Sequence, residues 1–131
     1  MRWGPVLELA LPGLAIGLAV VFGLSEGVTW AAWAALRLFG ALWLARSLRK
    51  RHFAHGFLAG ALGGSSAVLA GAALYGTYTA NHPEFLENAA RTAPDLHPRL
   101  LLVLIAAAVG LAHGIAQGVL AWIASRIVTS R

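Results

Sequence analysis

The chain has 131 residues, of which 59% are hydrophobic and only 11% charged. Soluble domains carry about 25% charged residues, so this composition cannot cover a water-facing surface and implies one all-α, polytopic membrane domain. The net charge of +5 does not point to nucleic acid, because four of the ten basic residues, Arg46, Arg49, Lys50 and Arg51, stand in one short run between apolar segments.

The first apolar segment runs from about Pro5 to Leu24. Arg2 ahead of an apolar run has the look of a signal peptide. No clean small-x-small cleavage site precedes a polar mature region, and the next apolar segment follows at once, so a retained first helix is expected. It carries a Gly13-xxx-Gly17 pair. Ser25-Glu26-Gly27 then reads as a tight turn into a second segment, from about Val28 to Leu48, with Ala31, Ala35 and Ala41 as its small residues. The basic run follows. By the positive-inside rule it is cytoplasmic, which puts Arg2, Arg126, Arg131 and both termini on the same side.

The third segment, from about Gly56 to Ala80, carries Gly56, Gly60 and Gly64 four apart. Gly63, Ala67 and Gly71 extend the same small face. Residues 83–92 follow as a short surface helix, with Pro83 in its first turn, acids at its start and an apolar side of Phe85, Leu86 and Ala89. Asp95 is placed to cap the next helix. The fourth segment, from about Pro98 to Ser125, repeats the glycine spacing at Gly110, Gly114 and Gly118, with Ala107, Ala121 and Ser125 on the same face. Each glycine costs about 1 kcal/mol in a soluble helix. In a bilayer, small-xxx-small spacing lets backbones approach closely, a glycine-zipper arrangement. Antiparallel pairing of the two striped helices is expected, with a homo-oligomer contact as the competing use of a stripe. Trp3, Trp30, Tyr78 and Trp122 fall near the interfaces, where amphipathic rings sit.

Each segment has enough residues to cross about 30 Å of hydrocarbon. Counted at about 1.5 Å per residue from the basic-loop end, Arg37 lies roughly 16 Å deep, Ser65 and Ser66 about 14 Å, His113 about 18 Å and Gln117 about 12 Å. Ionisable groups at such depth are functional candidates. Arg37 stays charged and needs a carboxylate, carbonyls, water or an anionic ligand. Glu8, the only acid well inside a helix, sits near the basic-loop end. One reading is a polar cavity in which Arg37 binds an anion or head group and His113 titrates. The other is that Arg37 snorkels while His113 and Gln117 hydrogen-bond across a helix interface. Gly110 and Gly114 beside His113 also leave room for a flat haem or chlorophyll.

The pairs His52/His55 and His82/His97 lack further ligands for a metal and read as solvated interfacial side chains. The absence of cysteine excludes disulfides and thiolate metal sites. The serines have no base and acid arrangement, no His-Glu-x-x-His occurs, and the glycines form no phosphate loop.

Phe53-Ala54-His55-Gly56-Phe57, Tyr75-xx-Tyr78, Asn81-His82-Pro83-Glu84-Phe85-Leu86-Glu87 and a last glycine-spaced helix ending at Arg126 resemble a bacterial four-helix membrane family that is a domain of unknown function. His82 interrupts that family's Asn-Pro pair. The resemblance implies a four-helix topology and no activity. Small four-helix multidrug exporters share the length and helix count, but they carry an acid deep in the first helix, where this chain has none.

Three functions are therefore expected, in this order. The first is a non-enzymatic structural or accessory subunit of the bacterial inner membrane, in a larger complex or a homo-oligomer and without a cofactor. The second is a small transporter or channel using Arg37, Ser65, Ser66, His113 and Gln117. The third is a haem- or pigment-binding subunit using His113.

Overall fold

A computed structural model describes residues 1–129. Arg131, counted above among the cytoplasmic cations, lies outside the described residues. The described chain is all-helical: α1 (Trp3–Val21), α2 (Glu26–Ser47), α3 (His52–Ala73), α4 (Tyr75–Asn81), α5 (Pro83–Thr92) and α6 (Pro98–Thr129). Four of these, α1, α2, α3 and α6, are long and apolar enough to cross a membrane. Large apolar side chains such as Leu11, Phe39, Leu104 and Ile127 are exposed on them, which suits a lipid bilayer and not water.

The centre of the bundle is α3, which presents small residues to two neighbours. Toward α6, a Cβ on Gly56 would come within 2.7 Å of the Gln117 carbonyl oxygen, and one on Gly64 within 2.9 Å of His113 Cβ. One on Gly60 would strike the His113 carbonyl oxygen. From the other side, Gly114 faces the Phe57 backbone and Gly118 the Phe53 ring, while Gly110 abuts Ser65. The two stripes thus face one another within a single chain, and the helices run antiparallel. Toward α1, Gly63 lies against Gly13 and Ala67 against Gly17. The small face of the third segment is therefore divided between two partners. With 3.6 residues per turn, Gly60 and Gly63 diverge by about 60° around the axis, which is enough to address different helices.

On α6 the buried seam includes Leu102, Ala106, Gly110, Gly114, Gln117, Gly118, Ala121, Ala124 and Ser125. Ala107, assigned to that face from the sequence, is exposed, and Ala106 takes its place. The fourth long helix, α2, packs mainly on α6. Its buried residues are confined to its second half, Gly40, Ala41, Leu44 and Ala45. There Leu44 and Leu48 close on Ala121, and Ala41 and Ala45 on Ala124.

The helix ends differ from the sequence reading. The first turn lies earlier than Ser25-Glu26-Gly27, because α1 stops at Val21 and α2 already starts at Glu26. Gly23, at φ +94, closes α1: its N–H donates to the Val20 carbonyl and that of Leu24 to Ala19, a Schellman motif that needs a residue tolerant of positive φ. The third segment does not continue to Ala80. It breaks at Leu74, where the Ala72 carbonyl is taken by Arg99 Nε at 2.8 Å and the Tyr78 ring folds back on Gly71. Finally, α6 is capped by His97 and not Asp95: the Arg99 N–H donates to His97 Nδ1 at 3.1 Å.

Candidate functional site

The first half of α2 stands away from the bundle, and the gap is an apolar chamber of about 190 Å³. Ile16, Val20, Val68 and Val109 give it its apolar walls, and Trp33 and His113 form its deep end. Behind that wall lies a second cavity of about 10 Å³, shared by Arg37, His113, Gln117 and Trp33. A space of that size accepts about one water molecule.

Helical spacing explains this convergence. Trp33 and Arg37 are one turn apart on α2, and His113 and Gln117 one turn apart on α6, so two facing turns supply all four side chains. The Trp33 ring stands edge-on to His113, with centroids 4.2 Å apart. Gln117 Nε2 donates to the Arg37 carbonyl oxygen at 3.3 Å. Arg37 Nε and His113 Nδ1 are buried without a protein partner. An unpaired buried polar group costs about 1–3 kcal/mol, so two of them beside one cavity mark a place prepared for a polar guest.

The five polar residues singled out by depth do not all meet. Arg37, His113 and Gln117 line one cavity. Ser65 instead donates to the Ala106 carbonyl at 3.1 Å, and Ser66 bonds back to Gly63 on its own helix at 3.1 Å. Both serines serve helix packing, because residues at equal depth can point in opposite directions around the axis. Glu8 is exposed, and among the described residues it forms no ion pair with Arg37. Trp33 was not singled out by sequence. Its signal was available, since it sits four residues before Arg37.

At the chamber's other end an open vestibule of about 420 Å³ includes Val20, Thr29 and Tyr78, which also line the chamber. The vestibule is walled by the ends of α1 and α4. Asn81 Nδ2 donates to the Val21 carbonyl at 3.1 Å, and His82 Nε2 bonds the Val20 carbonyl at 2.8 Å. Burial, and secondarily the charge of Glu84, raise the Tyr78 hydroxyl above its ordinary pKa, so it stays a neutral hydrogen-bonding group at the mouth.

A macrocycle on His113 does not fit these residues. Trp33 closes against the imidazole, and the chamber is comparable with cavities of about 150 Å³ that take benzene. The outlying histidines are engaged elsewhere. His52 bonds the Leu48 carbonyl and His55 the Arg51 carbonyl. His55 is 4% exposed, which corrects its reading as a solvated side chain. Among the described residues no three His, Cys, Asp or Glu side chains gather as a metal site. Comparison with protein-family models, curated proteins and solved structures finds no match for the chain.

Proposed function

We propose that this is a non-enzymatic membrane protein that holds a small amphipathic acid between α2 and the α1–α3–α6 core, as a carrier or receptor does. The observation that carries the reading is the shared Trp33–His113 wall. It joins a chamber sized for one ring to a polar cavity in which Arg37 Nε and His113 Nδ1 lack protein partners. The guest's apolar part occupies the chamber, and its acidic group turns toward the Trp33–His113 end, on whose far side Arg37 lies. The vestibule supplies the entrance. In this reading the basic loop faces the cytoplasm of a bacterial cell, both termini lie inside, and the entrance opens outward.

The stripes on α3 and α6 are spent on each other, as their spacing and adjacency lead one to expect, so a partner subunit or a second copy would have to pack on another surface. The family resemblance implies no activity and adds nothing to the choice.

Thermal unfolding of the purified protein in mild detergent tests the proposal, with benzoate as the acidic probe and toluene as its neutral counterpart. A ligand at about 100 times its Kd adds about 2.7 kcal/mol of stability. Benzoate is expected to raise the midpoint more than toluene, and Arg37→Ala to abolish the difference. Equal responses to the two probes in the unmodified protein would sink the proposal.

A further inference from the structure

The basic loop has a shape as well as a charge. Residues 48–51 connect α2 to α3, and Arg2, Ser47, Arg49, Lys50, Arg51 and His55 surround an open pocket of about 500 Å³. Four of these are cations. None has a carboxylate within ion-pair reach: the ion pairs among the described residues are His82–Glu84 and Arg91–Glu87, both at the opposite end of the bundle. The N-terminus of α3 opens at the same place. It has no acidic residue in its first turn and no side-chain cap, so its dipole adds positive potential there.

The pocket is held in shape by one buried histidine. His55 Nδ1 lies 2.9 Å from the Arg51 carbonyl, and its Nε2 accepts the Arg2 backbone N–H at 3.1 Å. These partners assign the ring proton to Nδ1, and the ring ties the start of α1 to the first turn of α3. Arg51 itself is the only non-glycine among the described residues at positive φ, 61°. A left-handed arginine is unfavourable and persists where its surroundings determine it. The strained turn sets Arg51 beside Arg49 and Lys50, and the His55 bridge brings Arg2 across from them.

We propose that this pocket binds a phosphate group, supplied by the head group of an anionic phospholipid or by a soluble phosphate. Arginine forks suit phosphate oxygens in paired hydrogen bonds, and basic pockets between transmembrane helices are suited to phospholipid head groups. This site is separate from the Arg37 cavity and does not depend on it.

Native mass spectrometry of the detergent-solubilised protein tests the assignment, titrating phosphatidylglycerol, phosphatidylcholine and inorganic phosphate in separate arms. Phosphatidylglycerol is expected to bind in preference to phosphatidylcholine. Each cation removed should weaken it about fivefold. Arg51→Asn is the informative variant, because asparagine tolerates positive φ and removes the charge without disturbing the turn. Arg49→Gln provides a second, on an exposed position. Arg126→Gln, at the same end but outside this pocket, should leave binding unchanged. Displacement of the lipid by millimolar inorganic phosphate assigns the site to soluble phosphate; retention assigns it to the head group. The proposal is overturned if phosphatidylglycerol and phosphatidylcholine bind alike while inorganic phosphate does not bind. It is equally overturned if Arg49→Gln and Arg51→Asn, with unfolding midpoints unchanged, keep the full preference.

Discussion

Gly17 of α1 lies so close to Ala67 of α3 that a Cβ at position 17 would fall onto the Ala67 backbone. The contact has no flexible side chain to yield. It is an approach of two backbones, and it repeats one turn away where Gly13 meets Gly63.

Gly17→Ala and Gly60→Ala should each destabilise the bundle by about 1–3 kcal/mol, the usual cost of overpacking. Gly27→Ala and Gly76→Ala have nothing within 4 Å of the added methyl. They should be neutral or stabilising by up to about 1 kcal/mol, through helix propensity. Equilibrium unfolding in mixed detergent micelles separates the two classes. Equal effects in both would show that propensity, and not contact, governs these glycines.

How far these contacts were legible in the sequence depends on the kind of information each needed. Four spans follow from the length of the apolar runs. The facing of Gly56 and Gly118 follows from spacing plus adjacency. The split of α3 between two partners does not, because a helical wheel shows one broad small face from Gly60 to Ala67 and cannot say where one neighbour ends and another begins. The end of α3 at Ala73 was hidden for a related reason. Ala72, Ala73 and Leu74 continue the apolar composition, and the break is made by Arg99 and Tyr78 from outside the helix. In the polar cavity, depth found Arg37, His113 and Gln117, but it also gathered Ser65 and Ser66, which need direction around the axis to be set aside.

Gln117→Leu keeps the side-chain volume and removes the bond to the Arg37 carbonyl. Hydrogen bonds between transmembrane helices average about 0.6 kcal/mol, so the stability loss should be of that order. A loss above about 2 kcal/mol would show that Gln117 also supports the surrounding packing of α2.

The chamber can be closed without touching its polar end. Val68 lines it away from Arg37 and Gln117, and Val68→Phe adds a ring into the apolar space. Stability should hold within about 1 kcal/mol, since the ring enters an existing void and the site is not overpacked. The stabilisation by benzoate should disappear. Its persistence would place the probe elsewhere.

Asn81→Ala removes two hydrogen bonds at once, to the Val21 and Thr77 carbonyls. The end of α1 loses a cap contributed from sixty positions further along the chain. A loss of about 1–3 kcal/mol is expected for two such bonds. Faster hydrogen exchange at Gly23 and Leu24 would locate it. Unchanged exchange there would show that the Schellman turn holds α1 without help.

The pairing of the long helices also sets an order of events. Few contacts join α1 to α2, the first two spans to be made; α1 finds its main partner in α3, and α2 finds its own only in α6. During synthesis α2 therefore waits in lipid for the last span, and the Gly56, Gly60 and Gly64 side of α3 waits with it. A chain cut short before α6 would leave both without their main partner. The last helix made is the one that converts a set of inserted spans into a protein.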